Sequence, residues 1–226
     1  MITAVALCPH PPLLFRELSG RADVVAPLRE ACLNAVEFVT RTSVERVVIV
    51  GGADDSRVWD PRLKPDVRRF GSTGTRETTG LPLSLGVGTR LLEGAGWRGP
   101  VDLVSIAWDA SDEQVRRSAD QVSAGEEPIA LLVLGDGSAR RGERAPGYLD
   151  ERAFAFDAAT GRALATGDVQ ALLGMDRELA DELMVGGRAA FQVMATVVHR
   201  EAGSHTAKVF YQDDPFGVMY YVTTWT

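Results

Sequence analysis

Four short runs of apolar residues stand out along the chain, and each ends in polar residues that favour turns. The runs are Ile2 to Leu7, Arg46 to Val50, Val101 to Ala107 and Ile129 to Leu134. They are rich in Val, Ile and Leu and show no polar alternation, which is typical of strands buried on both faces of a parallel sheet. We therefore predict four parallel strands at the centre of the protein, covered by helices.

Segments with helical periodicity lie between and after these runs. They are Asp23 to Thr40, Leu81 to Trp97, Asp112 to Ala124, Asp150 to Thr166 and Asp176 to Glu201. The first places its apolar residues on one face of a helix, whereas glycines dilute the second. Strands that alternate with helices indicate right-handed βαβ units and an α/β fold, with helices on both faces of a mostly parallel central sheet.

The end of the chain predicts an antiparallel strand pair. Ala207 to Tyr211 and Val218 to Thr224 have strand character, and an Asp-Asp-Pro-x-Gly turn joins them. Gly51 to Gly80 shows no clear periodicity and predicts a long loop. Since no repeat or low-complexity linker divides the chain, we predict that residues 1–226 form a single domain.

Composition and charge exclude several classes of protein. The 226 residues are 45% hydrophobic and carry a net charge of −7, so the chain lacks the cationic footprint of nucleic-acid binding. No apolar stretch approaches about 18 residues, the length of a membrane span. The first residues lack the basic region of a signal peptide, and two cysteines are too few for a disulfide framework. We expect a cytoplasmic protein that binds neither nucleic acid nor membranes.

A candidate ligand group follows directly after each apolar run. These groups are His10, Asp54, Asp109 and Asp136. Ligands of open parallel sheets bind in the crevice outside the carboxyl ends of the strands. The sequence therefore predicts that these side chains approach one another, although they are far apart in the chain.

His10 is the sharpest of these candidates because prolines flank it on both sides. The prolines hold the backbone in a rigid, non-helical turn, which suits a metal ligand or a general base. A structural hydrogen bond is the alternative role. Asp54 follows two glycines, so it either approaches a ligand closely or caps the next segment.

The loop Gly135-Asp136-Gly137-Ser138 lacks the lysine of a phosphate-binding loop. For Asp136 we therefore consider a metal, a hydrogen bond to a neutral substrate, or a plain turn. Arg140 and Tyr148 follow this loop and are candidate substrate contacts. An arginine here suits an anionic substrate, and a solvated loop is the alternative.

Several short motifs along the chain match one enzyme superfamily. They are Pro9-His10-Pro11-Pro12-Leu13-Leu14, the strand Val47-Val48-Ile49-Val50, the loop Leu134-Gly135-Asp136-Gly137-Ser138, and the segments Phe154-Ala155-Phe156-Asp157 and Ala163-Leu164-x-x-Gly167-Asp168. On these residues the chain resembles the class III extradiol ring-cleavage dioxygenase superfamily, to which the Memo proteins also belong. More narrowly, it is similar to an actinobacterial branch with a Gly-Asp-Gly-Ser-Ala-Arg-Arg loop.

The resemblance implies a ferrous iron held by two histidines and a glutamate at the strand ends. His10 matches the first histidine, but Asp54 stands where the second is expected, and Asp213 is a candidate carboxylate ligand before the last strand. An aspartate in place of an imidazole favours Mg²⁺ or Mn²⁺ over Fe²⁺. Ala139 takes the place of the family's acid–base histidine and cannot transfer a proton.

Two hypotheses about function remain open. The first is a divergent, metal-dependent enzyme that acts on a small molecule but does not cleave catechols. Its candidate catalytic residues are His10, Asp136 and Ser138. Its candidate metal ligands are His10, Asp54 and Asp213. The second is a non-catalytic binding or scaffold protein on the same fold, with no metal at all. The apolar edge of Val218 to Thr224 also fits a homo-oligomer.

Overall fold

The computed structural model describes residues 1–65, 67, 80–125, 127–201 and 205–226. In this part of the chain the strands are β1 (Ile2–Cys8), β2 (Arg46–Ala53), β3 (Arg57–Trp59), β4 (Val101–Ala107), β5 (Ile129–Leu134), β6 (Ala207–Asp213) and β7 (Tyr220–Trp225). The α-helices there are α1 (Ala26–Thr40), α2 (Leu83–Gly94), α3 (Asp112–Val122), α4 (Arg152–Thr166), α5 (Val169–Leu173), α6 (Arg177–Glu182) and α7 (Arg188–Arg200). Two 3₁₀ turns, Pro12–Leu14 and Arg16–Leu18, follow β1.

The described strands form one sheet in the order β3-β4-β2-β5-β1-β7-β6. The four central strands, β4, β2, β5 and β1, are parallel, as the apolar runs predict. β3 pairs antiparallel with β4, β7 pairs antiparallel with β1, and β6 with β7. The predicted α/β class, with a mostly parallel centre and a C-terminal antiparallel pair, is confirmed.

Helices cover both faces of the sheet, and each face has its own apolar core. Alternate residues of β1 show the division: Ala4 and Ala6 pack on the side of α1 and α2, whereas Val5 and Leu7 pack on the side of α3, α4 and α7. All six residues of β5 are buried. Burial on both faces explains why the central strands carry no polar alternation.

The predicted helix from Asp176 to Glu201 is wrong as a single element. The chain forms α6 and α7, with Leu183 to Gly187 between them. A Cβ atom at Gly187 would lie 2.7 Å from the carbonyl oxygen of Asp136 and 2.2 Å from the Phe191 ring, so only glycine lets the backbone pass this close to the end of β5. Glycines are also poor helix formers.

The predicted loop from Gly51 to Gly80 is partly wrong. Its first residues complete β2, and Arg57–Trp59 forms β3 on the edge of the sheet. Residues 66 and 68–79 of this prediction lie outside the described residues. The short helix α5 was not predicted either. Within the described part of the chain, no helix is both long enough and apolar enough to cross a membrane.

Candidate functional site

The carboxyl ends of β1 and β5 bring His10 and Asp136 together. Cys8 pairs with Leu134 at the end of the two strands, and the ladder continues with a hydrogen bond from the amide of Gly135 to the carbonyl of Cys8 (3.0 Å). Just beyond this bond, the carboxylate of Asp136 accepts a hydrogen bond from the backbone amide of His10 at 2.8 Å. Because the two strands are neighbours, their first polar side chains meet.

The imidazole of His10 faces the same carboxylate. Its Nδ1 atom lies 3.5 Å from Oδ1 of Asp136, which is longer than a normal hydrogen bond. Nδ1 is buried and has no hydrogen-bond partner among the described residues, and His10 as a whole is 6% exposed. Burial raises the pKa of Asp136, while His10 partly offsets this by favouring the charged carboxylate.

Trp108, the first residue after β4, covers the His10 ring. The two rings are nearly parallel, with centroids 5.9 Å apart and an interplanar angle of 18°. The indole reaches His10 by crossing β2 at Gly52, where a Cβ atom would lie only 1.8 Å from the Trp108 ring. Trp108 is still 40% exposed, so it also presents surface to a ligand.

Arg188, the first residue of α7, fixes the loop that carries Trp108. Its guanidinium donates to the carbonyls of Trp108 (2.7 Å) and Ala110 (2.8 Å) and to the side chain of Gln192 (3.1 Å). Arg188 is 2% exposed, and burial lowers its pKa. Two carbonyl oxygens and the Gln192 side chain compensate its Nη atoms, while its Nε atom has no hydrogen-bond partner among the described residues.

A cavity of about 410 Å³ opens beside Trp108. Its lining residues come from the end of β2, from β3, from the start of α2 and from the loop after β4: Gly52, Ala53, Asp54, Asp55, Arg57, Trp59, Gly80, Pro82, Leu83 and Trp108. Asp54 is exposed, and its carboxylate is part of the lining of this cavity. The cavity and the His10–Asp136 pair therefore share Trp108 as a common wall.

Ser138 belongs to a different cluster, although it is only two residues from Asp136. It is fully buried, and its amide (3.0 Å) and hydroxyl (2.5 Å) both donate to Asp157 of α4. The hydroxyl of Tyr221 donates to Asp157 as well, and Arg141 bridges Asp157 and Asp214. Burial raises the pKa of Asp157, and the bonds from Ser138 oppose this shift. Ser138 makes no hydrogen bond to His10.

Arg140 and Tyr148 lie on the loop between β5 and α4. The Nη1 atom of Arg140 is 3.7 Å from the carboxylate of Asp150. The backbone carbonyl of Arg140 accepts a hydrogen bond from the backbone amide of Asp150. Tyr148 is 74% exposed, with a positive φ of 59°. Like His10 and Asp136, neither residue is among the described residues that line the cavity beside Trp108, and their predicted role as substrate contacts stays a prediction.

The three predicted metal ligands do not come together. His10 follows β1, whereas Asp54 follows β2 and Asp213 is the last residue of β6; these two strands lie two positions away from β1 on opposite sides. At about 4.8 Å per strand, each is separated from His10 by roughly 10 Å across the sheet. The Asp213 carboxylate instead accepts from the amide of Asp214. Asp109 is exposed and is not part of the pair either.

The donor set differs from the ferrous site that the family resemblance implies. Across the described ranges, no three His, Cys, Asp or Glu side chains form a group that could hold a metal ion. His10 and Asp136 supply one imidazole and one carboxylate, and the second imidazole of the family's triad has no counterpart beside them. The residues present here do not fit a two-histidine, one-carboxylate iron site.

Sequence reasoning missed three contributors to this site. Trp108 stands directly after an apolar run, a position that could have marked it. The pair Gly186-Gly187 interrupts a predicted helix, and a Cβ atom at Gly186 would lie 3.8 Å from His10. Nothing in the sequence around Arg188 indicates its role, because the loop that it binds is distant in the chain.

Comparison with known proteins supports the fold alone. No family model matches the chain, and no curated protein matches it. A solved structure from Escherichia coli K12, described as uncharacterized protein JW3007, superposes with a TM-score of 0.51 over 98% of each chain. The two sequences are 13% identical. At this identity the likeness shows a shared architecture.

Proposed function

We propose that this protein is a divergent relative of the class III extradiol dioxygenases that binds a small molecule at the carboxyl ends of its strands. His10 and Asp136 act on that molecule as an acid–base pair, and catechol ring cleavage is not the reaction. The observation that carries the proposal is the buried His10–Asp136 pair, which shares Trp108 with a cavity of about 410 Å³.

The geometry of the pair suits proton transfer. Asp136 faces Nδ1 of His10 and so selects the ring orientation, as a carboxylate does for an acid–base histidine. The 3.5 Å separation leaves room for the contact to shorten when the ring is protonated or when a ligand binds. The buried setting strengthens this electrostatic contact, because little water screens it.

Two positions argue against catechol cleavage. Asp54 occupies the place of the family's second histidine ligand and lines the cavity. Ala139 occupies the place of the acid–base histidine and is buried, so no proton carrier stands there. Losing a positioned acid–base group lowers the rate of a proton-transfer step by about 10²–10⁴-fold.

A second function is a binding protein without catalysis. Its support is the enclosure of His10, which is 6% exposed beneath Trp108 and tied to Asp136 through its own amide. In this case His10 and Asp136 would shape the crevice, and the ligand would leave unchanged.

A metabolite extract separates these functions. Mass spectrometry would follow which compounds are retained and which are consumed by the wild-type protein, by His10→Gln and by the control His199→Gln, which alters an exposed histidine. Consumption that His10→Gln abolishes and His199→Gln preserves supports the acid–base enzyme. Retention without consumption supports the binding protein, and neither retention nor consumption overturns both functions.

A catechol panel supplied with ferrous iron under reducing conditions tests the remaining part of the proposal. We expect no ring-cleavage product above the level without protein. A yellow ring-cleavage product that disappears in His10→Gln would show instead that the ancestral reaction persists.

A further inference from the structure

The chemistry of the cavity beside Trp108 indicates what kind of small molecule it holds. We propose that its ligand is an organic cation, an ammonium group attached to a compact apolar body. This inference rests on the proposed small-molecule site and names the class of its ligand. The charge, the aromatic walls and the rigidity of the lining residues support it in turn.

The lining is acidic. Among the described lining residues, the ionisable groups are the carboxylates of Asp54 and Asp55 and the guanidinium of Arg57, so carboxylates outnumber cations there. Arg57 is already engaged, because its Nε atom lies 3.2 Å from Asp55. The remaining carboxylate is that of Asp54, which is exposed at the cavity. An anionic ligand would be repelled, whereas an ammonium group would be attracted.

Two tryptophans provide aromatic walls. The guanidinium carbon of Arg57 lies 3.6 Å from the centroid of the Trp59 ring, so this face of Trp59 already carries a cation of the protein, and Trp108 is the wall that we assign to the ligand. Trp108 forms another wall and is 40% exposed. A cation over the face of an exposed tryptophan is attracted by the negative face of the ring, and more strongly when it is desolvated.

The walls are held in place before any ligand arrives. The fully buried Ser105 of β4 accepts a hydrogen bond from the indole Nε1 of Trp59 (2.8 Å) and donates to the carbonyl of Asp55 (2.7 Å). One residue further along, Ser56 accepts from the amide of Ala107 (2.8 Å). On the far side Arg188 anchors the Trp108 loop. Rigid walls reduce the entropy lost on binding.

The remaining lining limits the body of the ligand. Pro82 and Leu83, at the start of α2, are apolar. The volume of about 410 Å³ falls within the roughly 300–1,000 Å³ of small-molecule sites. The ligand is therefore a small amine with an aliphatic or aromatic body, and a nucleotide or phosphate does not suit this lining.

The test uses compounds of one shape and different charge. Choline is compared with its neutral isostere 3,3-dimethylbutan-1-ol and with the anion 3,3-dimethylbutanoate; benzyltrimethylammonium provides a larger cation. Binding to the full chain is measured by calorimetry and by tryptophan fluorescence. We expect at least one of the two cations to bind and the neutral and anionic analogues to bind roughly tenfold more weakly or not at all.

Variants then locate the charge recognition. Asp54→Asn should weaken cation binding roughly tenfold, and Trp108→Leu should weaken it by a similar factor while the protein stays folded by circular dichroism. Asp60→Asn is the matched control, because Asp60 is close in sequence, pairs with Arg62 and does not line the cavity. Equal binding of the neutral isostere, an unaffected Asp54→Asn protein, or no binding of either cation would overturn the inference.

A failure of the ligand class can be distinguished from a failure of the proposed function. If His10-dependent consumption of a neutral or anionic metabolite is observed while cations do not bind, the ligand class is wrong and the acid–base site stands. If cations bind through Asp54 but His10→Gln changes nothing in the metabolite assay, the cavity recognises a cation independently of His10.

Discussion

Two buried polar clusters begin only two residues apart after β5, and they differ in how completely they are satisfied. In the Ser138–Asp157 cluster, both carboxylate oxygens accept hydrogen bonds, and Ser138 donates through its amide and its hydroxyl. In the His10–Asp136 cluster, the Nδ1 atom of His10 is buried without a hydrogen-bond partner in the described part of the chain. The first cluster joins α4 to β7 and to the loop after β5, whereas the second packs against Trp108, a residue that also lines the cavity.

The difference separates a structural role from a functional one. A satisfied network stabilises the fold, since each of its groups recovers the hydrogen bonds that it lost from water. A buried polar atom without a partner costs about 1–3 kcal/mol. His10 combines such an atom with a contact to Trp108, which lines the cavity, and we therefore assign the function to His10 and not to Ser138.

The largest effect that we predict comes from breaking the satisfied cluster. Asp157→Ala should lower the free energy of unfolding by about 2–4 kcal/mol, because it leaves the buried amide and hydroxyl of Ser138 without their acceptor and removes one of the two carboxylates beside Arg141, whereas Tyr221 keeps its bond to the backbone carbonyl of residue 157. Urea denaturation measures this change. Ser138→Ala should cost only about 1–2 kcal/mol. If Asp157→Ala costs less than Ser138→Ala, the cluster does not have the structural role given to it.

A smaller effect is expected where the chain passes behind Asp136. Gly187→Ala should destabilise the protein by about 1–3 kcal/mol, because its Cβ would lie 2.2 Å from Phe191 and 2.7 Å from the Asp136 carbonyl. Gly186→Ala is the matched control, since its nearest contact would be an ordinary 3.8 Å from His10. Thermal unfolding of the two variants compares them directly, and equal melting temperatures would contradict the close approach.

The smallest effect concerns pH. Burial raises the pKa of Asp136 above its usual 3.8, so the folded state binds this proton more tightly than the unfolded state does. The stability that this group contributes is therefore complete below the usual pKa and is lost as the pH rises towards the raised one. In Asp136→Asn the free energy of unfolding should fall less steeply with rising pH over that window. Parallel curves for the two proteins in urea would contradict the raised pKa.

Much of the fold could be predicted because the central strands are buried on both faces. Continuous apolar runs such as Val101–Ala107 and Ile129–Leu134 can be recognised without knowledge of their neighbours, and both match the observed strands. β3 and the break before α7 could not be predicted in this way. β3 is three residues long and depends on Ser105 of another strand, and the break depends on the close approach of Gly187 to Asp136.

The site was harder to predict because sequence patterns do not give the order of strands across a sheet. The expectation that polar residues at the strand ends converge holds for His10 and Asp136, whose strands are neighbours. It does not extend to Asp54 and Asp109, since β2 is separated from β1 by one strand and β4 by two. Trp108 follows β4, which lies further from β1 than β2 does. Its ring still reaches His10, because the side chain is large and Gly52 has no side chain in its way.

The position of β7 has a consequence for the order in which the protein can fold during synthesis. β1 is made first, but its neighbour on one side is β7, the last of the described strands to leave the ribosome. Until then β1 exposes an open edge, and β6 has no strand through which to join the sheet. Pairings between such distant segments form slowly and leave apolar edges exposed to other chains. The nascent chain therefore stays vulnerable to aggregation at the edge of β1 until β7 is complete.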